Sequence, residues 1–466
     1  MDLTRRDMLG KMGLAGLAGI GCGTGLLRAD ETVIGDPFYK GFSQMISDLP
    51  HTMQDGPSAY LENGEVVQPR RTVPVFSKAD VVVVGGGPAG FAAAVGAARA
   101  GAKVALVERY GSLGGLFTNG MVLLILAVGV KEDGKFRLVT KGVCGEFMER
   151  LKKMPNGISN RPRYVEQGLW QPDADPEAAK VLMDEMIAEA KVDMFFHAWG
   201  VDVIQSGNAV QGVVFESKQG RQAILAKQVV DATGDGDVFF QAGANYRQIT
   251  HGIGFIRRFG NIDRIDRSKD PKAGQGLRTG DQPVASATWG GSPLSPMEQK
   301  GNGLDIRTLS QREVEHRRRT WQSFTRLHGK PGHEQLFLMD TCSQLGVRAS
   351  RLLDAELLID REGALGQRKF DDVVAIGGDD AFQRPEFQIP YRSLLPKGVE
   401  NVVACGRCLG CTPDLIDRVR LIGPCFVSGH AAGVAAAVAA KRGCTARQAP
   451  VAEIQRVLRE QGAYLG

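Results

Sequence analysis

No basic run interleaved with aromatic side chains occurs in this chain of 466 residues, and its net charge is only +5. Nucleic-acid binding needs such a patch or stripe, so no nucleic-acid partner is expected. Cysteine is sparse: eight residues are spread unevenly through a large chain, which excludes a disulfide scaffold. Internal repeats and low-complexity tracts are missing. An apolar content of 43% is ordinary for a globular protein, so large-scale disorder is not expected. No integral membrane span is expected either. The weakly apolar stretch near the N-terminus is glycine-rich and carries Lys11, whereas a span needs about 20 predominantly apolar residues. Glycine, by contrast, is abundant at 60 residues, so many turns bring backbone close to something, as a large cofactor requires.

Those turns are organised around Val81 to Glu108, VVVVGGGPAGFAAAVGAARAGAKVALVE. Four valines make a short strand buried on both faces. Gly85, Gly87 and Gly90 follow in G-x-G-x-x-G spacing. Gly85 permits a tight turn, Gly87 lets backbone approach a pyrophosphate, and Gly90 lets helix and strand pack closely. The Ala/Gly-rich helix that follows presents its positive end to the phosphates. Lys103 to Val107 is the second strand. Glu108 ends it, about 20 residues beyond the last glycine, where an acid accepts from a ribose hydroxyl. Strand, glycines, helix, strand and acid occur in order, which is the pattern of a dinucleotide site. A second such fingerprint is not visible.

A chain of this length calls for two or three folding units. Residues 1–29 contain Thr4-Arg5-Arg6-Asp7-Met8-Leu9, which resembles a twin-arginine export signal and places the protein in the periplasm or otherwise outside the cytoplasm. Cys22 follows Gly19-Ile20-Gly21, which lacks the leucine usual before a lipidated cysteine, so lipidation is disfavoured. Residues 30–77 read as an extended leader, and 78–240 as the first part of the dinucleotide domain. Within that part a second glycine cluster spans Gly111 to Gly115, and Glu146 to Lys153 reads as helix. Asp175-Pro176-Glu177 is an N-cap signal for a helix reaching Ala190. Met194 to Val203, Ala209 to Glu216 and Gln222 to Val230 read as a three-stranded meander. Gln228 to Asp237 then returns as a strand followed by a glycine/acid loop. Residues 241–340 carry Arg257-Arg258 and Arg317-Arg318-Arg319 and read as an inserted substrate or cap domain with a polar helix over Arg312 to Leu327, its charges a solvated face. Residues 341–445 return to the dinucleotide domain, ending in a small-residue helix from Gly423 to Ala440. Residues 446–466 form a tail helix. The fold class is α/β: a Rossmann-like domain with a β-meander and an inserted α+β domain.

Taken together, GGGPAG with Glu108, GSLGGLFT, DATGDGD, LGVRASR, IPYRSLLP, GRCLG and GPCFVSGHAAGVAAA resemble the FAD-dependent oxidoreductases of the glutathione-reductase-like flavoprotein superfamily, of the single-dinucleotide type. The resemblance implies FAD as cofactor. Gly85, Gly87, Gly90 and Glu108 would hold its ADP half, Arg109 would lie beside the adenosine, and backbone near Val201 would meet the adenine. Gly114 and Gly115 would lie at the flavin end. Gly234 and Asp235 would approach the pyrophosphate and ribityl chain, as would Gly406 and Arg407 from the C-terminal side. Asp231 and Asp237 have the plainer reading of a solvated turn. The helix near Cys425 would point its N-terminus at the flavin pyrimidine edge. The resemblance further implies an enzyme that takes a hydride from a small organic substrate and passes electrons to oxygen, a quinone or a protein carrier.

Two questions stay open at this level. Cys405, Cys408 and Cys411 stand in C-x-x-C-x-x-C spacing, with Cys425 beyond them. They read as buried structural thiols, as a redox dithiol, or as ligands of an iron–sulfur cluster in an electron-transfer protein. No metal ligand is assigned among them. Of the four, Cys425 at a helix N-terminus is the thiol whose thiolate the dipole favours. Catalytic candidates are His251, Arg420 and Cys425. His430 ranks below His251 for proton transfer, and Arg348 and Arg418 join Arg420 as candidates for gripping an anionic substrate or flanking the flavin.

Overall fold

Four consecutive valines cannot face water on either side, and Val81 to Val84 are at most 4% exposed. They end the strand Val75–Val84, which lies inside a seven-stranded sheet. The computed structural model describes residues 59–160, 172–274, 285–288, 300–379 and 384–466. The export signal at 1–29, Cys22 and most of the leader lie outside these. On one side of the opening strand run Val104–Val107 and Asp193–Phe195, both parallel to it. On the other side lies the strand Gly220–Asp231, again parallel. The far edge of Gly220–Asp231 is shared: its first half pairs antiparallel with Ala209–Ser217, and its end pairs parallel with Val402–Ala404. Trp199–Ser206 completes the meander.

The expected strand from Met194 to Val203 is two strands. Asp193–Phe195 stays in the parallel sheet, His197 takes φ of +55°, and Trp199–Ser206 begins the meander. The expected strand from Gln222 and its return over Gln228 are one continuous strand of 12 residues. Within the leader, Tyr60–Glu62 and Glu65–Val67 form a hairpin. Its turn is Asn63-Gly64, both at positive φ, which is the sequence chemistry of a tight two-residue hairpin.

Small residues set the helical layer. Pro88–Arg99 packs against Ile422–Arg442 at backbone distance. A Cβ on Gly429 would fall 2.0 Å from the Ala89 carbonyl oxygen, and one on Gly433 would fall 2.0 Å from that of Ala93. Ile422–Arg442 is long and apolar enough to cross a membrane, and its apolar window is wholly buried inside the protein. Asp175 caps Pro176–Glu189, its side chain accepting from the N–H groups of Glu177 and Ala178. Further helices run Val143–Leu151, Ile306–His328 behind the cap Asp305, and Val451–Glu460, whose Ile454 and Leu458 are buried, with short ones at Asp237–Gln241, Arg361–Leu365 and Ile416–Val419.

Strands of the 241–340 segment pair across residue 340. Tyr246–Gln248 pairs with Arg351–Leu353, and His251–Gly254 pairs with both Lys300–Gly301 and Gly346–Val347. One of its cores joins Ile253, Phe255 and Ile256 to Met121 and Leu123, which follow the second glycine cluster. The parallel strands all end at one edge of the sheet, on Val84, Val107, Phe195, Asp231 and Ala404. In open α/β sheets that carboxyl edge is where ligands sit.

Candidate functional site

Gly85 turns the chain out of the first strand at φ of +98°, and a Cβ there would fall 2.5 Å from the Ala232 carbonyl oxygen. A Cβ on Gly90 would fall 1.7 Å from the Gly85 carbonyl oxygen, so helix and strand meet there with no side chain between. Gly87 differs: a Cβ would meet nothing within 4 Å. It lines a cavity whose free space, counting the part open to solvent, is about 1330 Å³. Gly87 is also the N-cap of Pro88–Arg99, with no side-chain cap and no acid in the first turn. That end of the helix is left for an external anion.

Glu108 lines the same cavity and is 5% exposed. Its Oε2 accepts from the Gly86 N–H at 2.6 Å and its Oε1 from the Tyr110 N–H at 2.8 Å. Burial pushes its pKa up, and the two N–H donors and Arg109 pull the other way without cancelling it. The acid therefore ties the first glycine turn to the end of the second strand. Arg109 lies over the Tyr110 ring at 4.9 Å and the Trp199 ring at 5.8 Å, and all three line the cavity. Val201 is not among the lining residues. The wall there is Ala198, Trp199 and Gly200, and a bulge between Gly200 and Asp202 breaks the register just past it.

The second glycine cluster is seated on the first. The Gly114 N–H donates to the Gly86 carbonyl at 2.8 Å, and a Cβ on Gly115 would fall 3.1 Å from the Gly87 Cα. Gly115 lines the cavity, while Gly114 sits behind it against Thr118.

The loop after Gly220–Asp231 has a different division of labour from the one expected. Asp231 is fully buried and accepts from the Thr233 N–H, the Thr233 hydroxyl and the Phe239 N–H. It folds the loop and is no solvated turn residue. Asp235 stands outside the cavity lining. It receives Arg407 in a two-point ion pair at 2.8 and 2.9 Å and the Ser350 hydroxyl at 2.5 Å. Burial pushes its pKa up, but the Arg407 charge and these donors outweigh that and hold it below the ordinary value. Arg407 and Gly406 line the cavity, as do Gly234 and Asp237, the latter ion-paired with Arg351 at 2.9 Å.

The cavity is also lined by Phe117, Val122, Ile256, Gln344, Arg348, Arg420, Ile422 and Cys425, among others. Arg420 donates from Nε and Nη2 to Asp417 Oδ1 at 2.8 and 2.5 Å, and the same oxygen lies 3.2 Å from His251 Nε2. His251 is outside the lining, so it reaches the site only through Asp417. The helix Ile422–Arg442 holds Cys425 in its first turn rather than at its tip. Burial pushes the Cys425 thiol up to about 12, against the pull of Arg407 and Arg420, and so opposes the thiolate that the helix dipole favours.

The other thiols follow the same physics. Cys405 and Cys408 are buried, and burial pushes both well above the ordinary range; Cys411 is pushed up to about 12. Cys408 belongs to the main core, and Cys411 is held by a backbone bridge to Ile359. All four are free, and among the described residues no three His, Cys, Asp or Glu side chains gather to hold a metal ion. The cluster reading does not fit this arrangement. His430 lies outside the cavity, bonded to Gln461 at 2.8 Å and packed against Gly96, with burial pushing it down to about 4. Arg418 is also outside it, paired with Asp379 at 2.6 Å and stacked on Phe387.

Tyr110, Trp199, Asp237 and Gln344 line the cavity without having been singled out for it. Tyr110 was signalled only by lying next to Arg109, and Trp199 only by lying one residue removed from Val201, before Gly200. Asp237 was signalled by the DATGDGD block, where spacing alone does not tell which acid faces inward.

The arrangement fits FAD. An uncapped helix N-terminus and the open face of Gly87 would hold the pyrophosphate, Glu108 and Arg109 the adenosine half, and Gly115, Gly406 and Arg407 the remainder. The family model for FAD dependent oxidoreductases matches residues 80–458. A dihydrolipoyl dehydrogenase of Trypanosoma brucei brucei is 56% identical over 109 residues, which cover 21% of this chain and 23% of that protein. A thiamine thiazole synthase of Saccharolobus islandicus is 30% identical over 170 residues, covering 34% of this chain and 56% of that protein. The chain thus spans less than two thirds of the length of either curated relative. Among solved structures, a geranylgeranyl bacteriochlorophyll reductase-like protein from Thermoplasma acidophilum is 14% identical, with a TM-score of 0.42 over 82% of this chain and 83% of that one. With most of its length matched by the family model and a cavity built for the cofactor, the chain belongs to the FAD dependent oxidoreductase family and is an FAD-dependent enzyme.

Proposed function

We propose that this enzyme oxidises a small organic molecule by hydride transfer to FAD and passes the electrons on to oxygen, a quinone or a protein carrier. The observation that carries this reading is one shared cavity. It runs from Gly87, Glu108 and Arg109 to Ile256, Gln344 and Arg420, so cofactor-holding and substrate-facing groups share one space. FAD bound there supplies the two-electron chemistry. The chain supplies the rest. Arg407, fixed by Asp235, places a positive charge on the cavity wall. Phe117, Val122 and Ile256 offer apolar surface that excludes water from the reacting end. The buried thiols, none of them gathered into a metal site, do not favour the alternative of a flavin/iron–sulfur or flavin/dithiol relay.

Anaerobic mixing of the purified flavoprotein with a metabolite panel should bleach its flavin absorbance, and oxygen or a quinone should restore it. A flavoprotein that no small molecule bleaches, but that a protein donor reduces, would overturn the substrate reading.

Export by the twin-arginine route is part of the same proposal and is supported by Thr4-Arg5-Arg6-Asp7-Met8-Leu9. Changing Arg5→Lys with Arg6→Lys should retain the protein in the cytoplasmic fraction. Equal recovery of both forms outside the cytoplasm would remove that part.

A further inference from the structure

A second groove, with about 1420 Å³ of free space counting the part open to solvent, shares no lining residue with the cofactor cavity. Its lining includes Lys103 and Asn401, which directly precede the strands Val104–Val107 and Val402–Ala404, so it lies away from the carboxyl edge of the sheet. Three exposed lysines line it: Lys78, Lys103 and Lys227. Asp80 draws them together. Its Oδ1 lies 2.8 Å from Lys227 Nζ, and its Oδ2 accepts from the Lys103 N–H at 2.9 Å. Lys78 precedes Asp80 by two residues on the same strand and pairs with Leu225. One carboxylate serves three ammonium groups, so this side of the groove is net positive.

Cys444 lines the same groove, and of the described cysteines it alone is not buried. Gln228, next to Lys227, is tied to it. The Gln228 Nε2 donates to the Cys444 carbonyl at 3.0 Å and to Asn401 Oδ1 at 3.3 Å. Asn401 gives its own Nδ2 to the Val210 carbonyl, which fixes its Oδ1 towards Gln228. Turning the Gln228 amide over would therefore set oxygen against two oxygens. Its Oε1 is left without a donor, in a side chain that is 2% exposed and lines the groove. A buried acceptor without a donor is unfavourable. A peptide N–H is the donor that an occupant of the groove can bring.

We propose that this groove binds short acidic peptides that carry a disulfide, and that Cys444 exchanges with that disulfide. The lysines attract the carboxylates, Gln228 receives a peptide N–H, and the thiol supplies the reacting sulfur. The Cys444 thiolate attacks one sulfur of the peptide disulfide. A bond forms between Cys444 and that sulfur, and the original S–S bond breaks. The other half leaves as a thiolate and takes up the proton that Cys444 gave up. Cys444 is oxidised, the leaving sulfur is reduced, and the peptide disulfide is the oxidant. The exchange involves no residue of the flavin cavity.

The test incubates FAD-loaded protein with oxidised glutathione, with cystamine and with dithiodiglycolate, and follows the adduct on the Cys444 peptide by mass spectrometry. Each rate is divided by that of the same disulfide with free mercaptoethanol, which removes differences in leaving group. Oxidised glutathione should modify Cys444 about tenfold or more faster than the cationic cystamine, and the gap should narrow as salt rises. It should also outpace dithiodiglycolate, which has carboxylates but no peptide group. Lys78→Gln with Lys103→Gln should bring the glutathione and cystamine rates to within about threefold of each other. Absence of a glutathione adduct at Cys444 would overturn the proposal, as would equal rates for glutathione and cystamine in the wild type. A lead for dithiodiglycolate would overturn the peptide assignment. A charge preference that survives both lysine substitutions would place recognition outside this groove and overturn the proposal too.

Discussion

Asp235→Ala should destabilise the protein by about 3–5 kcal/mol and lower its affinity for FAD, because it leaves the Arg407 guanidinium buried without its counter-charge. The side chains of Arg407 and Asp235 are 10% and 13% exposed, so neither is rescued by bulk water. The two-point geometry and the Ser350 hydroxyl leave little slack in the pair. Thermal or urea unfolding of the apoprotein measures the first effect, and fluorescence titration with FAD measures the second. Asp235→Leu with Arg407→Met separates them. With both charges gone, much of the stability should return, as replacing a buried pair by apolar side chains often allows. FAD affinity should not return, since Arg407 lines the cavity and Asp235 does not. Recovery of full FAD binding in the double variant would show that the pair is structural only. The pH dependence has a definite sign. The folded-state pKa of Asp235 lies below its ordinary value, so its contribution is fully present above about pH 4 and is lost as pH falls through the depressed folded value. Wild type and Asp235→Ala should therefore converge in stability under acid and differ most at neutral pH.

That network also marks how far the sequence could be read. Val81 to Val84, the glycine spacing, the helix and Glu108 are local in the chain, and each has one physical solution, so the parallel sheet and its binding edge were legible. The N-cap at Asp175 was legible for the same reason. What was not legible depended on partners distant in sequence. Asp235 and Asp237 look alike in DATGDGD, and only the positions of Arg407 and Arg351 decide which of them faces the cavity. The break at His197 and the bulge before Asp202 moved the wall from Val201 to Trp199 and Gly200. Dipole reasoning for Cys425 omitted the desolvation that its buried first turn imposes. The remaining lining was the least legible part: Arg348 and Arg420 stood out as candidates, whereas Ile256 and Gln344 belong to no pattern that marks them.

The glycines of the first turn were read as three roles, and the geometry turns those roles into different expected failures. Gly90→Ala should damage the fold itself. Its Cβ would fall 1.7 Å from the Gly85 carbonyl oxygen and 3.1 Å from the Ala232 Cβ, so Pro88–Arg99 must lift off the strand. That helix also meets Gly429 and Gly433 at backbone distance, so the displacement spreads into Ile422–Arg442, and such overpacking costs about 1–3 kcal/mol or more. Gly87→Ala should do the opposite. The backbone there has φ of −65° and ψ of −177°, which any residue adopts, and a Cβ meets nothing within 4 Å. The apoprotein should melt within about 0.5 kcal/mol of wild type, the range of substitutions that disturb no packing. FAD binding, however, should fall about a hundredfold, since the methyl group would occupy the space through which a pyrophosphate reaches the helix N-terminus. Apoprotein melting followed by FAD titration on the two variants gives a crossed result: one variant loses stability, and the other keeps it while losing the cofactor. Wild-type FAD affinity in Gly87→Ala would mean that the open face of Gly87 is not where the phosphates pass, and that the cofactor enters the cavity on another path.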